Sequence, residues 1–255
     1  MRPNPLFSVI TVCYNDLANL KRTAASVLEQ SCKDFEWLVV DGGSRDGTPD
    51  WLAQLPPGQC VWSSERDAGI FDAMNKGCDQ ARGQYLVFMN SGDLFFNPRV
   101  LELVSEAIRS QPGAQLLYGD SVDETADGHG TLRHARHHDG YQLGMFAQHQ
   151  AMFFRASPLR YRTDRPITAD YAYIGEHIQA AQDPVRIVKL DFAVCRFLLG
   201  GLNEKARFAA LREDYRTRID VFGMNRPKAA VLYAAHYAHT WLKRHSPGIA
   251  TALRR

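Results

Sequence analysis

The sequence predicts an α/β fold: a mostly parallel, twisted central sheet flanked by helices, followed by a helical C-terminal extension. Three observations carry that expectation. Short β-branched runs alternate with amphipathic stretches through the first 120 residues, the rhythm of βαβ units. The runs end on polar residues, at Tyr14-Asn15, at Asp41-Gly42-Gly43 and at Asn90-Ser91-Gly92-Asp93. Ligands of such sheets bind beyond the carboxyl ends of the strands, so a site is expected there. From residue 204 onward the pattern turns helical and basic.

In order along the chain, LFSVITVCY (6–14) reads as a buried strand, and Asn15 and Asp16 supply turn and cap chemistry. LANLKRTAASVLEQ (17–30) places Leu17, Leu20, Ala24, Val27 and Leu28 at helical spacing. DFEWLVVDGGS is a second strand entering a glycine turn, TPDWLAQL a helix with Thr48 as N-cap, and CVWSSE a third strand. Residues 69–82 read as a helix closed by Gly83. QYLVFMNSGD is a fourth strand, and NPRVLELVSEAIRS a helix capped by Asn97 with Pro98 first. Residues 120–165 are less regular. Within them RHARHHDG (133–140) reads as an active-site loop; zinc binding by His134, His137 and His138 is the alternative, with no cysteine to support it. Pro227 opens a final helix with Val231, Ala234, Ala235, Ala238, Trp241 and Leu242 on one face.

Composition narrows the function classes. At 255 residues, 45% apolar and 23% charged, the chain suits one large globular domain, or a domain with an extension. It holds no run of eighteen apolar residues and no apolar leader core, so neither a membrane span nor a signal peptide is expected. Its five cysteines are scattered without a C-x-x-C pair, which fits a reducing cytosol better than a disulfide framework. The net charge of +2 conceals an asymmetry: residues 205–255 carry eleven Lys/Arg against three Asp/Glu, and the remainder is acidic. A basic end on an acidic body suggests an anionic contact, with a solvated helical face as the plain alternative.

Two stretches carry chemistry. In VVDGGSRDGT (39–48), Asp41 follows a buried strand and the glycines allow close backbone approach, while G-x-G-x-x-G is absent after the first strand. In ERDAGIFDAMNKGCDQARGQYLVFMNSGD (65–93), Asp67 precedes a helix bearing Asp72, Asn75 and Lys76, and a strand then delivers Asn90 and Asp93 to the same edge. An aspartate beside Asn and Ser suits Mg²⁺ or Mn²⁺, which favour oxygen donors; a local Asx-turn is the structural alternative.

Together with Tyr14-Asn15, Y-G-D (118–120), HQAMFFR (149–155), TADYAY (168–173) and FLLGGLN (197–203), these motifs resemble family-2 glycosyltransferases with the GT-A fold, most closely the bacterial exopolysaccharide group of colanic-acid type. The resemblance runs over residues 6–203 and implies a catalytic domain there, with 204–255 as a basic helical extension. It implies that Asp41 contacts the nucleotide base beside Gly42, with Tyr14 and Asn15 enclosing it, and that Asp67, Asp72, Asn75, Lys76 and Asn90 line the diphosphate and sugar. Asp93 then matches the last acidic residue of the metal motif, Asn90 and Gly92 standing where carboxylates are usual. His149 and Gln150 line the acceptor side or the phosphates, and Asp170 is the catalytic base.

The chemistry so implied is inverting transfer of a sugar from a nucleoside diphosphate, UDP by default and GDP or dTDP as options, to a saccharide acceptor carried on a lipid. No nucleic acid is implied. A catalytically silent sugar-nucleotide-binding or scaffolding subunit is the alternative. The final helix, with Trp241 beside Lys243 and Arg244 and with Arg254 and Arg255 behind, fits either packing on the domain or lying on an anionic membrane at the cytoplasmic face.

Overall fold

The computed structural model describes residues 4–125, 127–200 and 206–245. Its strands are β1 (Phe7–Cys13), β2 (Phe35–Asp41), β3 (Val61–Ser64), β4 (Tyr85–Phe88), β5 (Leu94–Phe95), β6 (Leu116–Glu124), β7 (Gly130–Arg133), β8 (Met152–Arg155) and β9 (Ile187–Leu198). Its helices are α1 (Leu17–Leu28), α2 (Thr48–Ala53), α3 (Ile70–Gln80), α4 (Val100–Ser110), α5 (Ala169–Ala180), α6 (Arg207–Asp220) and α7 (Arg226–His245). The expected boundary at 203/204 and the charges of Arg254 and Arg255 lie outside the described residues.

The expected mostly parallel, open GT-A sheet is not the one that forms. The strands are ordered β3-β2-β1-β4-β8-β6-β9-β5, with β7 beside β6. β1 pairs with β2 and β4, β2 with β3, and β6 with β9 in parallel. β8 pairs with both β4 and β6, β7 with β6, and β5 with β9, all antiparallel. The sheet is therefore mixed, and it curls into a half-barrel where β6 and β9 slip register between Tyr118 and Ser121. The cause lies in the connections. A parallel neighbour needs a crossover of a dozen or more residues, usually helical. The stretch from β7 to β8 contains only two short 3₁₀ turns, His138–Leu143 and His149–Ala151, so β8 returns antiparallel to β6.

Alternation along β1 explains why both faces are covered. Phe7, Val9 and Cys13 pack with Leu20, Ala24 and Val27 of α1 and Val100, Leu101 and Val104 of α4. Ile10 and Val12 face Phe71, Met74 and Cys78 of α3 and Ala169, Tyr173 and Ile174 of α5. Each fully buried Val, Leu, Ile or Phe contributes roughly 1.5–3 kcal/mol against the entropy of ordering the chain. The polar residues of β1 are matched too: Thr11 Oγ1 accepts from the buried Trp37 indole at 3.0 Å, and Ser8 donates to Glu36 at 2.6 Å.

Three local expectations shift. α3 ends at Gln80 with Ala81 extended, so Gly83 does not cap it. Gly83 is needed because a Cβ there would lie 2.4 Å from the Ser8 nitrogen. Thr48 is the first residue of α2 and left-handed Gly47 its cap, while Asn97 accepts from Arg99 N–H one turn before α4 begins.

The basic C-terminal helix forms as expected. α7 packs on α6 through Tyr233 against Tyr215 and Tyr237 against Phe208. Away from that contact Val231 is left 69% exposed, and on the flank Trp241 is 48% exposed. No helix among the described residues is long and apolar enough to cross a membrane.

Candidate active site

Pairing directions fix where a site can form. Because β8 runs against both β4 and β6, the carboxyl ends of β1, β2, β3, β4, β6 and β9 share one edge. α5 leads from that edge to the start of β9 on the opposite side, so its first turn, with Asp170, lies at the edge as well. The chain order changes direction between β1 and β4, which puts the crevice of such a sheet at Tyr14–Asp16 and Asn90–Ser91.

At the ends of β1 and β2 the sequence motifs converge. Tyr14 is 66% exposed, and a Cβ on Gly42 would sit 2.5 Å from Asp67 Oδ2 and 3.3 Å from the Tyr14 ring. Gly42 is thus the floor on which Tyr14 and Asp67 meet. Asn15, held at φ 49°, donates its N–H to Ser44 Oγ and accepts from Arg45 N–H at 2.8 Å, which ties the two strand-end loops together. An open recess beside them is lined by Asn15, Asp16, Leu17, Ala18, Lys21 and Asp46.

Asp41 is placed differently from a ligand-facing carboxylate. It is fully buried, and it accepts from Gly43 N–H, Ser44 N–H, Ser64 Oγ and Ser44 Oγ. A base N–H could reach it only by displacing a serine hydroxyl. On α3, Asp72 accepts from Ala68 N–H, and Lys76 Nζ lies 2.8 Å from Glu65 and 3.8 Å from Asp72. Asn75 spends both ends of its amide on the backbone of Tyr161, at 2.9 and 2.8 Å.

The Asn90–Asp93 turn does not fit a divalent cation as it stands. Its one carboxylate, Asp93, is 4% exposed and accepts from Leu198 N–H at 3.1 Å and from the Gln150 side chain. Burial raises that carboxyl to about 7, against the two hydrogen bonds. Gly92 sits at φ 97°, and a Cβ there would lie 2.9 Å from Leu198 Cδ2. Asn90 Oδ1 is buried without a partner, so a single neutral donor remains. Hard cations such as Mg²⁺ and Mn²⁺ need more oxygen than that.

His149 is a core histidine. It is 3% exposed, bonds Tyr161 Oη through Nε2 at 2.7 Å, and packs against Phe88 and Phe154. Burial, with His177 adding, lowers it to about 3, so it is neutral. Tyr161 also stacks on Tyr173 at 4.1 Å and on Phe71 at 5.5 Å. Gln150 therefore meets Asp93 while its neighbour His149 meets Tyr161.

Asp170 is left far less committed than Asp41. Half-buried on the first turn of α5, it accepts from Tyr171 N–H at 2.9 Å. Burial raises its carboxyl to about 7; Tyr171 N–H opposes this, and the charge of Asp214 on α6 reinforces it. Burial lifts Asp214 in turn to about 6, against Arg218. Arg218, fully buried, donates to the carbonyls of Gln142 and Leu143 and lies 5.6 Å over the Tyr171 ring. A carboxyl with a pKa near 7 can take a proton from a hydroxyl at neutral pH.

The histidine-rich stretch divides in two. His134 Nδ1 lies 2.6 Å from Asp120, whose other oxygen accepts from Ala135 N–H. His137, His138 and Asp139 instead form a group that could hold a metal ion.

Comparison with known proteins decides the family. The model of glycosyl transferase family 2 matches residues 8–165. This chain belongs to glycosyl transferase family 2. An uncharacterized glycosyltransferase of Mycobacterium tuberculosis is 33% identical over 234 residues, 87% of this chain and 86% of that protein. A putative teichuronic acid biosynthesis glycosyltransferase of Bacillus subtilis is 39% identical over 92 residues, 35% of this chain and 36% of that protein. Among solved structures, TarS 1-349 of S. aureus in complex with UDP aligns with a TM-score of 0.65 at 16% identity, covering 98% of this chain and 75% of that one. A mannosyltransferase of Pyrobaculum calidifontis in complex with GDP-Man and Mn²⁺ aligns with the same score at 16% identity, covering 99% and 79%.

Several residues of this family-2 chain that shape the edge escaped sequence reasoning. Tyr161, Asp214 and Arg218 sit in stretches without a motif, and each acts through a partner far away in the chain, Asn75, Asp170 and Gln142 respectively. Asp120 alone carried a signal, in Y-G-D.

Proposed function

We propose that the chain transfers a sugar, with inversion, from a nucleoside diphosphate donor to a saccharide acceptor carried on a lipid, in building a surface glycan or exopolysaccharide. The observation that carries this reading is Asp170, a half-buried carboxyl raised to about 7 at the edge where Tyr14, Gly42 and Asp67 converge. In this reading Asp170 takes the acceptor hydroxyl proton, the oxygen attacks the anomeric carbon, and the nucleoside diphosphate leaves from the opposite face. Tyr14, Gly42 and Asp67 hold the donor. Asn75, His149 and Asp41 act at one remove, by fixing the backbone around it.

UDP is the donor nucleotide of choice. TarS has been solved in complex with UDP-GlcNAc, and the mannosyltransferase with GDP-Man, so GDP sugars are the second option. Asp93 serves here as the anchor of Leu198, and no step is routed through a cation at that turn.

The test is calorimetric titration of UDP, GDP and dTDP into the purified chain, each with Mn²⁺ and with EDTA. One nucleotide is expected to bind equally in both. Strict dependence on Mn²⁺ would return Asp93 to the metal, and silence from all three would favour the scaffolding subunit.

The outer face of α7 supports contact with an anionic lipid surface. Val231, Ala235 and Ala238 are exposed on it, with Trp241 on one flank and Lys228 and Lys243 on the other. Flotation with anionic vesicles should be lost in a Val231→Ser, Trp241→Ser double variant; unchanged flotation would sink the idea.

A further inference from the structure

The strand-end turn is a poor cation site, yet the loop between β7 and β8 gathers three metal-ligating side chains on consecutive residues. His137 Nδ1 lies 3.1 Å from Asp139 Oδ2, and His138 Nε2 lies 3.6 Å from Asp139 Oδ1. All three ligand atoms fall within 4.8 Å of one another. Two atoms each bonded at about 2.1 Å to a tetrahedral centre stand about 3.4 Å apart, so the two measured separations bracket that of a zinc-type site.

The second observation is His138 itself. The residue is only 6% exposed, and its Nε2 has no hydrogen-bond partner. Its other nitrogen, Nδ1, faces Tyr118 Oη at 3.4 Å, and that oxygen also accepts the His138 backbone N–H at 3.1 Å. Tyr118 thus fixes the ring through Nδ1, and Nε2 is left 3.6 Å from Asp139 Oδ1 with no hydrogen-bond partner. That arrangement matches a ligating imidazole fixed by a partner on its far nitrogen. His137 and Asp139 are exposed, which leaves an entry path and an open coordination position.

We propose that His137, His138 and Asp139 bind a divalent transition ion of the zinc class, and that the ion pins the loop across the active-site edge. Two imidazoles and a carboxylate select such an ion over Mg²⁺ or Ca²⁺. The loop is already closed at its base, where Arg136 N–H donates to the Phe146 carbonyl and the Arg136 guanidinium to the Met145 carbonyl. Its Gln142 carbonyl accepts from Tyr171 Oη, next to Asp170, and from Arg218. Holding the tip therefore steadies the neighbourhood of the first turn of α5. The site is separate from Asn90–Asp93, and the proposal stands whatever sugar is moved.

The test uses the full chain, stripped with chelator. Zn²⁺ is titrated against a chromophoric chelator, and Co²⁺ is followed by its visible absorption. The wild type should take up one equivalent, and His137→Ala and Asp139→Asn should each weaken it tenfold or more. Both residues are exposed, so these variants avoid the folding risk of altering His138. His134→Ala should bind as the wild type does, because His134 is held by Asp120. Zn²⁺ should also slow tryptic cleavage after Arg136 in the wild type and leave it unchanged in Asp139→Asn. No uptake by the wild type, or equal uptake by wild type and Asp139→Asn, would overturn the proposal.

Discussion

Asp41 and Asp170 are the same residue at the same edge of the sheet, and their surroundings give them opposite tasks. Asp41 closes β2 in a nest of two backbone N–H groups and two serine hydroxyls, with no exposure at all. Asp170 opens α5 with one neighbouring N–H and a second carboxyl, Asp214, acting against its ionisation. A carboxylate surrounded by donors is spent on holding its loop, whereas burial with one neighbouring N–H leaves Asp170 raised to about 7, which suits the base role proposed for it. The contrast teaches that two aspartates near the same strand ends differ in what their surroundings leave free: one has every lone pair engaged, and the other is desolvated with few partners.

The largest effect that would sharpen this comparison is on turnover. Asp170→Asn should lower transfer by about 10²–10⁴-fold while leaving nucleotide affinity within a factor of two or so. The wild-type rate should rise with pH up to a plateau above about 7, as Asp170 loses its proton. A variant that kept most of its turnover would break the comparison at its reactive end.

Next in size is stability at the other end. Asp41→Ala strands four donors and should cost about 3 kcal/mol in urea unfolding. If it folded as well as the wild type but failed to bind nucleotide, Asp41 would belong with the ligand contacts after all. The smallest effect is at Gly42. Alanine there pushes Asp67 away from Tyr14, and the donor KM should rise about three- to tenfold, on the order of 1 kcal/mol.

Local pattern was legible in the sequence wherever a strand and helix repeat within thirty residues. β1 through β4, α1 and α3 lie within a few residues of their expected places, because alternation and helical spacing are written locally. The mixed sheet was not legible. MFFR reads as a buried strand in either direction, and it runs antiparallel because it keeps the direction β7 takes after the turn from β6. The site divides in the same way. Tyr14, Gly42 and Asp67 converge from motifs that flag themselves, whereas the pressure of Asp214 on Asp170 comes from a helix 44 positions on, in a stretch with no motif. His149 looked like an acceptor-side group, and burial made it a neutral strut.

The clamp between Asn75 and Tyr161 has a mechanical consequence. Two hydrogen bonds of the Asn75 side-chain amide fix the Tyr161 backbone to α3, and His149 fixes its hydroxyl, so the segment entering α5 is tied to the part that carries β1 to β4. If the proposed transfer needs motion around its substrate, that motion is expected in loops hung from this frame rather than in the frame itself.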